Sequence, residues 1–438
     1  MAEILRSVGL DVGTTTTQLI LSELTVENQS SAFTVPQMAI VDRKILYKSP
    51  IHFTPLLEGD LVDGDGIRTI VTREYENAGI GRDSVDTGAI IITGETSRKE
   101  NARSVLDALS DFAGEFVVAT AGPDLESVLA AKGAGAVELS ENAPVLHMDI
   151  GGGTSNLALI EDGKFLRTGC LNVGGRLLKF ENGKVSYVSP VVKDLTPLQV
   201  GDPADQGQID ALAQTLVQAL EMAAGLRPPA ELLDRLWTKE GCAPFAHQIR
   251  EGTVISFSGG VADCIETGHP PFTFGDMGPI LGRAIKNSRL CQGRYALGRE
   301  TIRATVIGAG CHSAQLSGST VYHRNISFPL KNLPVVHMEN RTEDDTVIAM
   351  EGIPSATYTQ ISELADTIAQ QIPHGPIYLA VEQDIAKALG QALALRIRPE
   401  RPLLCLDRIQ LAEGDYLDVA APVGPALPVV VKTLVFSK

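Results

Sequence analysis

The stretch Gly9–Leu24, GLDVGTTTTQLILSEL, places an aspartate, a glycine and four threonines between two apolar runs. The apolar runs predict two strands, Ser7–Asp11 and Gln18–Glu23, joined by a polar turn. Glycine lets a backbone approach phosphate oxygens, and threonine hydroxyls add hydrogen-bond donors. The stretch differs from the common nucleotide-binding P-loop, because it has no G-x-x-x-x-G-K-[ST] pattern and no nearby lysine.

The same arrangement occurs a second time in the chain. His147–Gly163, HMDIGGGTSNLALIEDG, again leads from an apolar strand through an aspartate and glycines into an apolar strand. Asp11 and Asp149 hold the same place in the two units, 138 positions apart (149 − 11). Two copies of one hairpin predict duplicated lobes that face a shared cleft.

The residues of the two turns are predicted to form one site. Asp11 and Asp149 are the predicted metal ligands, because Mg²⁺ prefers carboxylate oxygens and retains much of its hydration. We also predict that Asp11, Asp149 and Thr154 are the catalytic residues. The predicted phosphate-binding residues are the turn glycines, the threonines and one amide: Gly13, Thr14, Thr15, Gly151, Gly152, Gly153, Thr154 and Asn156.

Two further glycine-containing segments follow. Val254–Ile265, VISFSGGVADCI, begins within the predicted strand Thr253–Ser258, which runs into two glycines and a short apolar segment. Ser258, Gly259 and Gly260 are predicted to contact the nucleoside part of a nucleotide. In Thr305–Gly318, TVIGAGCHSAQLSG, Gly308 and Gly310 are predicted to permit close packing at the start of a helix. The apolar residues Val306–Ala309 by themselves also fit the end of a strand.

The composition limits the classes of protein and partner. A chain of 438 residues predicts two to four domains, and a net charge of −16 disfavours nucleic acid as a partner. No window of about 18 consecutive apolar residues and no basic, then apolar N-terminus occur, so we expect neither secretion nor a membrane span. The six cysteines are scattered without a C-x-x-C, which disfavours a disulfide framework or zinc site and favours reduced thiols in the cytoplasm.

Alternating strand and helix patterns predict an α/β fold. We predict a first lobe over 1–143, a second lobe over 144–320 and a C-terminal α/β domain over 321–438. The predicted strands outside the motifs are Ala89–Thr93, Glu115–Ala119, Pro376–Ala380 and Leu403–Leu406. The predicted helices are Thr96–Leu109, Leu125–Lys132, Ile209–Leu220, Ala230–Leu236 and Gln383–Leu395.

The motifs, taken in their order, resemble those of the actin-like (ribonuclease H-like) ATPase superfamily. Residues 8–18 and 149–156 resemble its two phosphate segments, and residues 254–264 its adenosine segment. Residues 121–133 and 306–314 stand where its connecting helices are expected. Together with IITGETSRKENAR (91–103) and GCLNVGGRLL (169–178), they are similar throughout the chain to the large reactivating factors of ethanolamine ammonia-lyase.

This resemblance implies a chaperone-like ATPase that uses ATP and Mg²⁺. Its expected partner is ethanolamine ammonia-lyase, on which a damaged cobalamin lacking its adenosyl group is exchanged for intact adenosylcobalamin. The family implies bacterial ethanolamine utilisation in the cytoplasm, often with a microcompartment, and an oligomer is compatible with it. No membrane or nucleic acid is expected to take part.

Two departures from the superfamily pattern predict slow hydrolysis. Gly122 stands where the chaperones have a glutamate that helps to place the attacking water, and Asn156 stands where an aspartate is frequent. Asp124 and Glu126 are candidate substitutes for that glutamate, although acidic residues are also common at helix starts. A slow ATPase fits a conformational switch that opens and closes two lobes.

Three alternatives remain on the same fold. A sugar-type or other small-molecule kinase needs a catalytic carboxylate for a substrate hydroxyl, and the sequence has no clear one. An actin-like filament protein needs nucleotide-dependent self-assembly. A reductive activator of a dehydratase needs cysteines that bridge an iron–sulfur cluster, which the scattered cysteines disfavour.

Overall fold

The computed structural model describes most of the chain. The described residues are 3–13, 16–28, 38–57, 61–81, 84–93, 117–120, 123–238, 250, 252–312, 314–317, 321–340, 345–409, 411, 416–419, 422 and 427–432. Thr14, Thr15, Gly122, the predicted helix Thr96–Leu109 and the start of the predicted strand Glu115–Ala119 lie outside them.

A mixed sheet forms the first lobe. Its described strands are β1 (Glu3–Val12), β2 (Thr16–Asn28), β3 (Met38–Lys48), β4 (His52–Phe53), β5 (Thr87–Ile92) and β6 (Val117–Thr120). The order is β3-β2-β1-β5-β6, with the short β4 paired to β2. Strand β1 is antiparallel to β2 and parallel to β5. The strands predicted around the threonine turn are therefore confirmed, although both are longer than predicted.

The second lobe repeats this topology. Its strands are β7 (Val145–Ile150), β8 (Ser155–Glu161), β9 (Lys164–Leu171), the separate hairpin β10 (Leu178–Glu181) and β11 (Lys184–Val188), β12 (Val254–Ser258) and β13 (Tyr295–Leu297). The sheet order β13-β12-β7-β8-β9 is the first lobe's order read from the opposite edge. Strand β7 is antiparallel to β8 and parallel to β12. The predicted duplication of lobes is thus present in the topology.

A third sheet follows in the C-terminal part of the chain. Its described strands are β14 (Ala314–Ser317), β15 (Tyr322–Arg324), β16 (Leu330–Val336), β17 (Val347–Met350), β18 (Ile377–Val381), β19 (Leu403–Asp407), β20 (Tyr416–Val419) and β21 (Leu427–Lys432). They have the order β14-β21-β20-β16-β17-β18-β19-β15. This confirms a C-terminal α/β unit, while the domain limits stay predictions.

The helices of the described residues connect and cover these sheets. They are α1 (Gly64–Ala78), α2 (Pro123–Ala134), α3 (Ala136–Leu139), α4 (Gln206–Ala223), α5 (Glu231–Leu236), α6 (Asp263–Glu266), α7 (Gly278–Lys286), α8 (Ala304–Ile307), α9 (Tyr358–Gln371) and α10 (Ala386–Ala394). Local capping sets several ends: the Asp63 carboxylate accepts from the Gly66 N–H at 3.0 Å where α1 begins, and Gly79 takes φ 67° where it ends. In the described part of the chain, no helix combines the length and apolarity that crossing a bilayer requires.

Strand β7 lies at the centre of the second lobe. All six of its residues are buried, because α2 covers one face and α4 with α7 cover the other. Met148 and Ile150 pack in the large cluster with the α4 and α7 side chains, while Val145 packs with Ala131 of α2. A strand covered on both faces reads as a continuous apolar run, so the buried His147 and Asp149 are exceptions that need polar partners.

Helices α2 and α8 cross between the two lobes at glycines. A Cβ on Gly133 would lie 1.9 Å from the Ala304 carbonyl oxygen, and one on Gly308 would lie 2.0 Å from that of Leu129. The prediction that glycines permit close packing here is confirmed. The alternative that Val306–Ala309 end a strand is wrong: the chain forms α8 and a π-helical turn, Gly308–His312. A short apolar run does not distinguish a strand from a buried helix, and packing against α2 selects the helix.

Candidate functional site

The two motif turns share one backbone hydrogen bond and one strand register among the residues that the structure describes. In each, the first glycine's N–H donates to the carbonyl three residues later: Gly13 to Thr16 and Gly151 to Thr154, both at 2.9 Å. The registers also agree, since Asp11 pairs with Gln18 across its hairpin and Asp149 pairs with Asn156. Directly paired residues of an antiparallel hairpin point to the same face. Each lobe therefore presents one carboxylate and one amide side by side.

The two carboxylates interact with each other across the lobes. The pKa of Asp11 is raised to about 7, mainly because the carboxyl is buried and to a smaller extent because of the negative charge of Asp149. A hydrogen bond from the Thr93 hydroxyl at 2.8 Å acts in the opposite direction. Burial likewise raises the pKa of Asp149 to about 6, against hydrogen bonds from Ser258 and Thr305. A cation between the two carboxylates would remove this repulsion and favour their charged forms.

Both paired amides have a buried oxygen without a hydrogen-bond partner. Gln18 is 4% exposed and Asn156 is 1% exposed. The Gln18 Nε2 donates to the Ile302 carbonyl at 3.2 Å, but Gln18 Oε1 and Asn156 Oδ1 accept no bond from any described residue. A buried unsatisfied carbonyl is costly and calls for a donor from elsewhere, such as an ion's water.

These groups fit a hydrated Mg²⁺. This set of oxygen ligands suits a hard cation. It consists of two carboxylates with raised pKa values and two neutral amide oxygens that lack hydrogen-bond donors. The described residues contain no group of three or more His, Cys, Asp or Glu side chains arranged for a metal. Mg²⁺ is usually held by one or two carboxylates together with waters and substrate phosphates. Asp11 and Asp149 would therefore hold it, with the amide oxygens facing its water.

A buried hydrogen-bond chain stands behind Asp149. The Ser258 hydroxyl donates to Asp149 Oδ1, and His147 Nε2 lies 2.9 Å from the same hydroxyl oxygen. Since the single Ser258 proton goes to Asp149, His147 must donate from Nε2 and accept at Nδ1 from Ser256 Oγ, 3.2 Å away. Burial lowers the pKa of His147 to about 3, so the ring is neutral. This series of hydrogen bonds orients the Asp149 carboxylate without placing a charge beside it.

The glycines of the second turn leave open space on its surface. A Cβ on Gly153 would meet nothing within 4 Å, and one on Gly151 would lie 3.6 Å from the Thr154 carbonyl oxygen. Packing therefore does not require glycine at either position, and the open space is of the kind that a closely approaching phosphate would fill. The phosphate-binding roles of Gly151, Gly152, Gly153 and Thr154 stay predictions.

A short segment, the Thr54 arm (residues 52–54), supports the first turn. The Thr54 hydroxyl donates to the Gly13 carbonyl at 2.8 Å and lies 3.1 Å from the Thr17 hydroxyl. Strand β4, just before it, pairs with Thr16 and Thr17. The buried Glu74 of α1 contacts this arm, since it lies 3.0 Å from His52 Nε2, and it also accepts a hydrogen bond from Tyr47 of β3. Gly13 therefore has a tertiary support that the sequence motif does not reveal.

The nucleoside segment lies directly beside the second turn. Ser258 pairs with Asp149 in the parallel register of β12 and β7. Gly259 takes φ 86°, and a Cβ there would lie 2.3 Å from the Ile150 carbonyl oxygen. Backbone conformation and packing therefore require glycine at this position without any contact to a ligand. Gly260 has ordinary surroundings, with Ile302 Cδ1 at 3.6 Å from its Cβ position. Contact of Gly259 and Gly260 with a nucleoside stays a prediction.

Sequence reasoning missed several residues of this site. Thr93 and Thr305 were not singled out, although each supports one aspartate. The repeat of the two motifs could have indicated Gln18, because Gln18 pairs with Asp11 as Asn156 pairs with Asp149. Of the two candidate substitutes, the Asp124 carboxylate accepts from the Thr168 hydroxyl of β9, and burial raises its pKa.

Comparisons with solved structures give distant similarity only. A Ppx/GppA family member of Aquifex aeolicus is 14% identical with a TM-score of 0.43, covering 70% of this chain and 97% of that one. The ethanolamine utilization protein EutJ from Carboxydothermus hydrogenoformans is 16% identical with a TM-score of 0.35, covering 69% and 88%. At these TM-scores, the two solved structures add nothing to the topology described above.

Comparisons with curated sequences are close and extend over the full length. The protein named "Ethanolamine ammonia-lyase reactivase EutA" of Salmonella typhimurium is 38% identical over 475 residues, covering 99% of this chain and 98% of the relative. Its namesake in Escherichia coli K12 is 37% identical with the same coverage. A profile of the family described as "Ethanolamine utilisation protein EutA" matches residues 3–346 and 337–437. The chain therefore belongs to the EutA family.

Proposed function

We propose that this chain is an ATP-dependent, chaperone-like reactivase of ethanolamine ammonia-lyase. It promotes release of damaged cobalamin from that enzyme and its exchange for intact adenosylcobalamin. The observation that carries the proposal is the 38% identity to a relative named as this reactivase over 99% of the chain. The paired turns of the two lobes add a site with the chemistry that such an ATPase needs.

The proposed ligand of that site is ATP with Mg²⁺. Bound Mg²⁺ supplies charge neutralisation for the phosphates and orders water near them. Asp11 and Asp149 would hold the ion from opposite lobes, and the side-chain oxygens of Gln18 and Asn156 would accept hydrogen bonds from its water. The turn residues Gly13, Thr14 and Thr15 and Gly151–Thr154 are the proposed phosphate-binding residues, and Ser258, Gly259 and Gly260 are proposed to contact the nucleoside.

The proposed switch follows from the division of this site between lobes. A ligand shifts a conformational equilibrium only by binding one state better than the other. Because each lobe contributes one carboxylate and one glycine turn, Mg²⁺·ATP favours the closed arrangement. Loss of the nucleotide favours opening about the crossing of α2 and α8, which changes the surface presented to the partner enzyme. The proposed setting is bacterial ethanolamine utilisation in the cytoplasm, associated with a microcompartment.

The proposal is tested with inactivated partner enzyme. Ethanolamine ammonia-lyase blocked with cyanocobalamin is mixed with the purified protein, Mg²⁺ and free adenosylcobalamin, with or without ATP, and recovered deamination is followed. We expect recovery with ATP and none with the Asp149→Asn variant as the matched control. Absence of ATP-dependent recovery with the unaltered protein would contradict the proposed function.

Two parallel assays separate the proposal from its rivals. Phosphorylation of an added polyol without any protein partner would favour a small-molecule kinase. Nucleotide-dependent light scattering, with filaments in electron micrographs, would favour a filament protein. We expect neither reaction from a reactivase.

A further inference from the structure

A second glycine-containing turn packs against the phosphate turn of the second lobe. Gly175 N–H donates to the Gly151 carbonyl at 3.0 Å, and Arg176 N–H donates to the Gly152 carbonyl at 2.7 Å. A Cβ on Gly174 would lie 2.3 Å from the Gly152 oxygen, so glycine is needed for this contact. Gly174–Arg176 therefore form a rigid continuation of the Gly151–Thr154 turn.

The side chain of Arg176 lies along the turn glycine. Its Cδ is 3.3 Å from the position that a Cβ on Gly152 would take. Its Nε donates to Asp276 Oδ2 at 3.2 Å, while the other oxygen of Asp276 accepts from the Gly278 N–H at 2.9 Å. Asp276 is 7% exposed and belongs to the loop before α7. The guanidinium is thus anchored through one nitrogen by a carboxylate that is itself fixed.

The remainder of the guanidinium is available to a ligand. The two Nη groups donate to no described residue, and the side chain is 24% exposed. An arginine anchored at Nε keeps a forked pair of donors that matches phosphate oxygens. The same turn also touches the nucleoside segment, because a Cβ on Gly175 would lie 3.0 Å from Val261 Cγ2. Arg176 therefore stands at the junction of the phosphate turn and the nucleoside segment.

We propose that Arg176 binds the phosphate chain of the nucleotide and supplies the positive charge that a lysine supplies in other nucleotide sites. The inference rests on the proposed ATP-binding function. A polyanion entering a site with two buried aspartates, in a chain of net charge −16, needs such a cation. Asp276 is a positioning residue, because it orients the guanidinium without touching the ligand.

The first test measures ligand affinity by calorimetry. Arg176→Met keeps the stem that packs on Gly152 and removes the charge. We expect ATP and ADP to bind about tenfold or more weakly, since charge-assisted hydrogen bonds are lost, while adenosine binds as before. Arg176→Lys is expected to recover part of the loss. Arg283→Met, an exposed arginine on α7, is the matched control and is expected to bind like the unaltered protein.

The results separate this inference from the proposed function. If the unaltered protein binds neither ATP nor ADP, the proposed function fails. If the unaltered protein binds ATP and a folded Arg176→Met variant binds it equally well, Arg176 has no role in phosphate binding. An equal loss of adenosine and ATP affinity also overturns the inference, because it shows a structural defect.

A second test uses the unaltered protein and does not depend on the folding of a variant. Phenylglyoxal modification of arginines is followed by peptide mass spectrometry with saturating ATP or adenosine. We expect ATP, and not adenosine, to slow the modification of Arg176, with Arg283 unaffected by either. Equal rates at Arg176 with and without bound ATP would overturn the inference.

Discussion

The turn of the first lobe and the turn of the second share one backbone hydrogen bond and one strand register, but their surroundings differ. Both have a 2.9 Å hydrogen bond from the first glycine and an aspartate beside an amide. Gly13 is supported from outside by the Thr54 arm, whereas the second turn is extended by Gly174–Arg176. Duplication preserved the geometry that presents the carboxylates, while the chemistry around each turn diverged.

This divergence assigns different tasks to the lobes. The first turn has hydroxyl-bearing neighbours, including Thr93, Thr54 and Thr17, and a carboxylate whose pKa is raised to about 7. The second has open glycines, an arginine and a carboxylate oriented by Ser258 and neutral His147. We expect the second turn to dominate phosphate binding, while both lobes contribute equally to the metal.

Replacement of either aspartate tests that equality. Asp11→Asn and Asp149→Asn keep shape and remove charge, so each is expected to lower Mg²⁺-dependent ATP hydrolysis about 100-fold or more, because a metal's charge stabilisation amounts to several kcal/mol. Phosphate release is the measurement, and Asp234→Asn on the exposed face of α5 is the control. Normal turnover in one variant would show that its lobe does not contribute to the metal site.

Replacement of an open glycine tests the second turn as the phosphate site. In Gly153→Ala the new methyl group meets no protein atom within 4 Å, so thermal stability is expected to stay close to that of the unaltered protein. ATP affinity is expected to fall about tenfold or more, because the methyl occupies the approach path of the phosphate. Gly293→Ala, which also has open surroundings, is the control. Unchanged ATP binding by calorimetry would refute the assignment of this surface.

The Thr54 arm gives a smaller expected effect on the first turn. Thr54→Val preserves the shape of the side chain and removes its hydrogen bonds to Gly13 and Thr17. We expect ATP affinity to fall roughly threefold to tenfold, as for the loss of one hydrogen bond. Thr69→Val on the exposed side of α1 serves as the control. A loss as large as that of Gly153→Ala would contradict the dominance of the second turn.

The raised pKa of Asp11 predicts a pH-dependent stability of the ligand-free protein. The folded chain keeps this proton up to about pH 7, whereas the group ordinarily titrates at 3.8. The folded state therefore binds more protons in this window, and the free energy of unfolding decreases as the pH rises through it. Asp11→Asn removes the penalty and is expected to raise Tm by roughly 2 to 4 °C at pH 8, and by less at pH 5.5.

Differential scanning calorimetry without nucleotide or metal provides the measurement for this last prediction. Asp234→Asn is again the control, since that carboxylate is exposed. An equal change in Tm at both pH values would show that Asp11 is not held with a raised pKa.

Local pattern was enough to predict the hairpins, the α/β class and the glycine-mediated helix packing. Each of these depends on residues close in the chain: apolar alternation, turn glycines and helix starts. The duplication is visible in the sequence because Asp11 and Asp149 occupy the same position in two copies of a strand–aspartate–glycine turn–strand motif. The register then implies that Gln18 matches Asn156, because the pairing of a hairpin follows from the length of its turn.

Tertiary structure alone decided which side chains complete the site. Ser258 reaches Asp149 across 109 positions, and Asp276 anchors Arg176 across 100. No periodicity encodes such contacts, because they depend on how strands β7 and β12 align and on where the loop before α7 returns. The same reason explains Val306–Ala309: its apolar residues permit a strand or a buried helix, and only packing against α2 selects the helix.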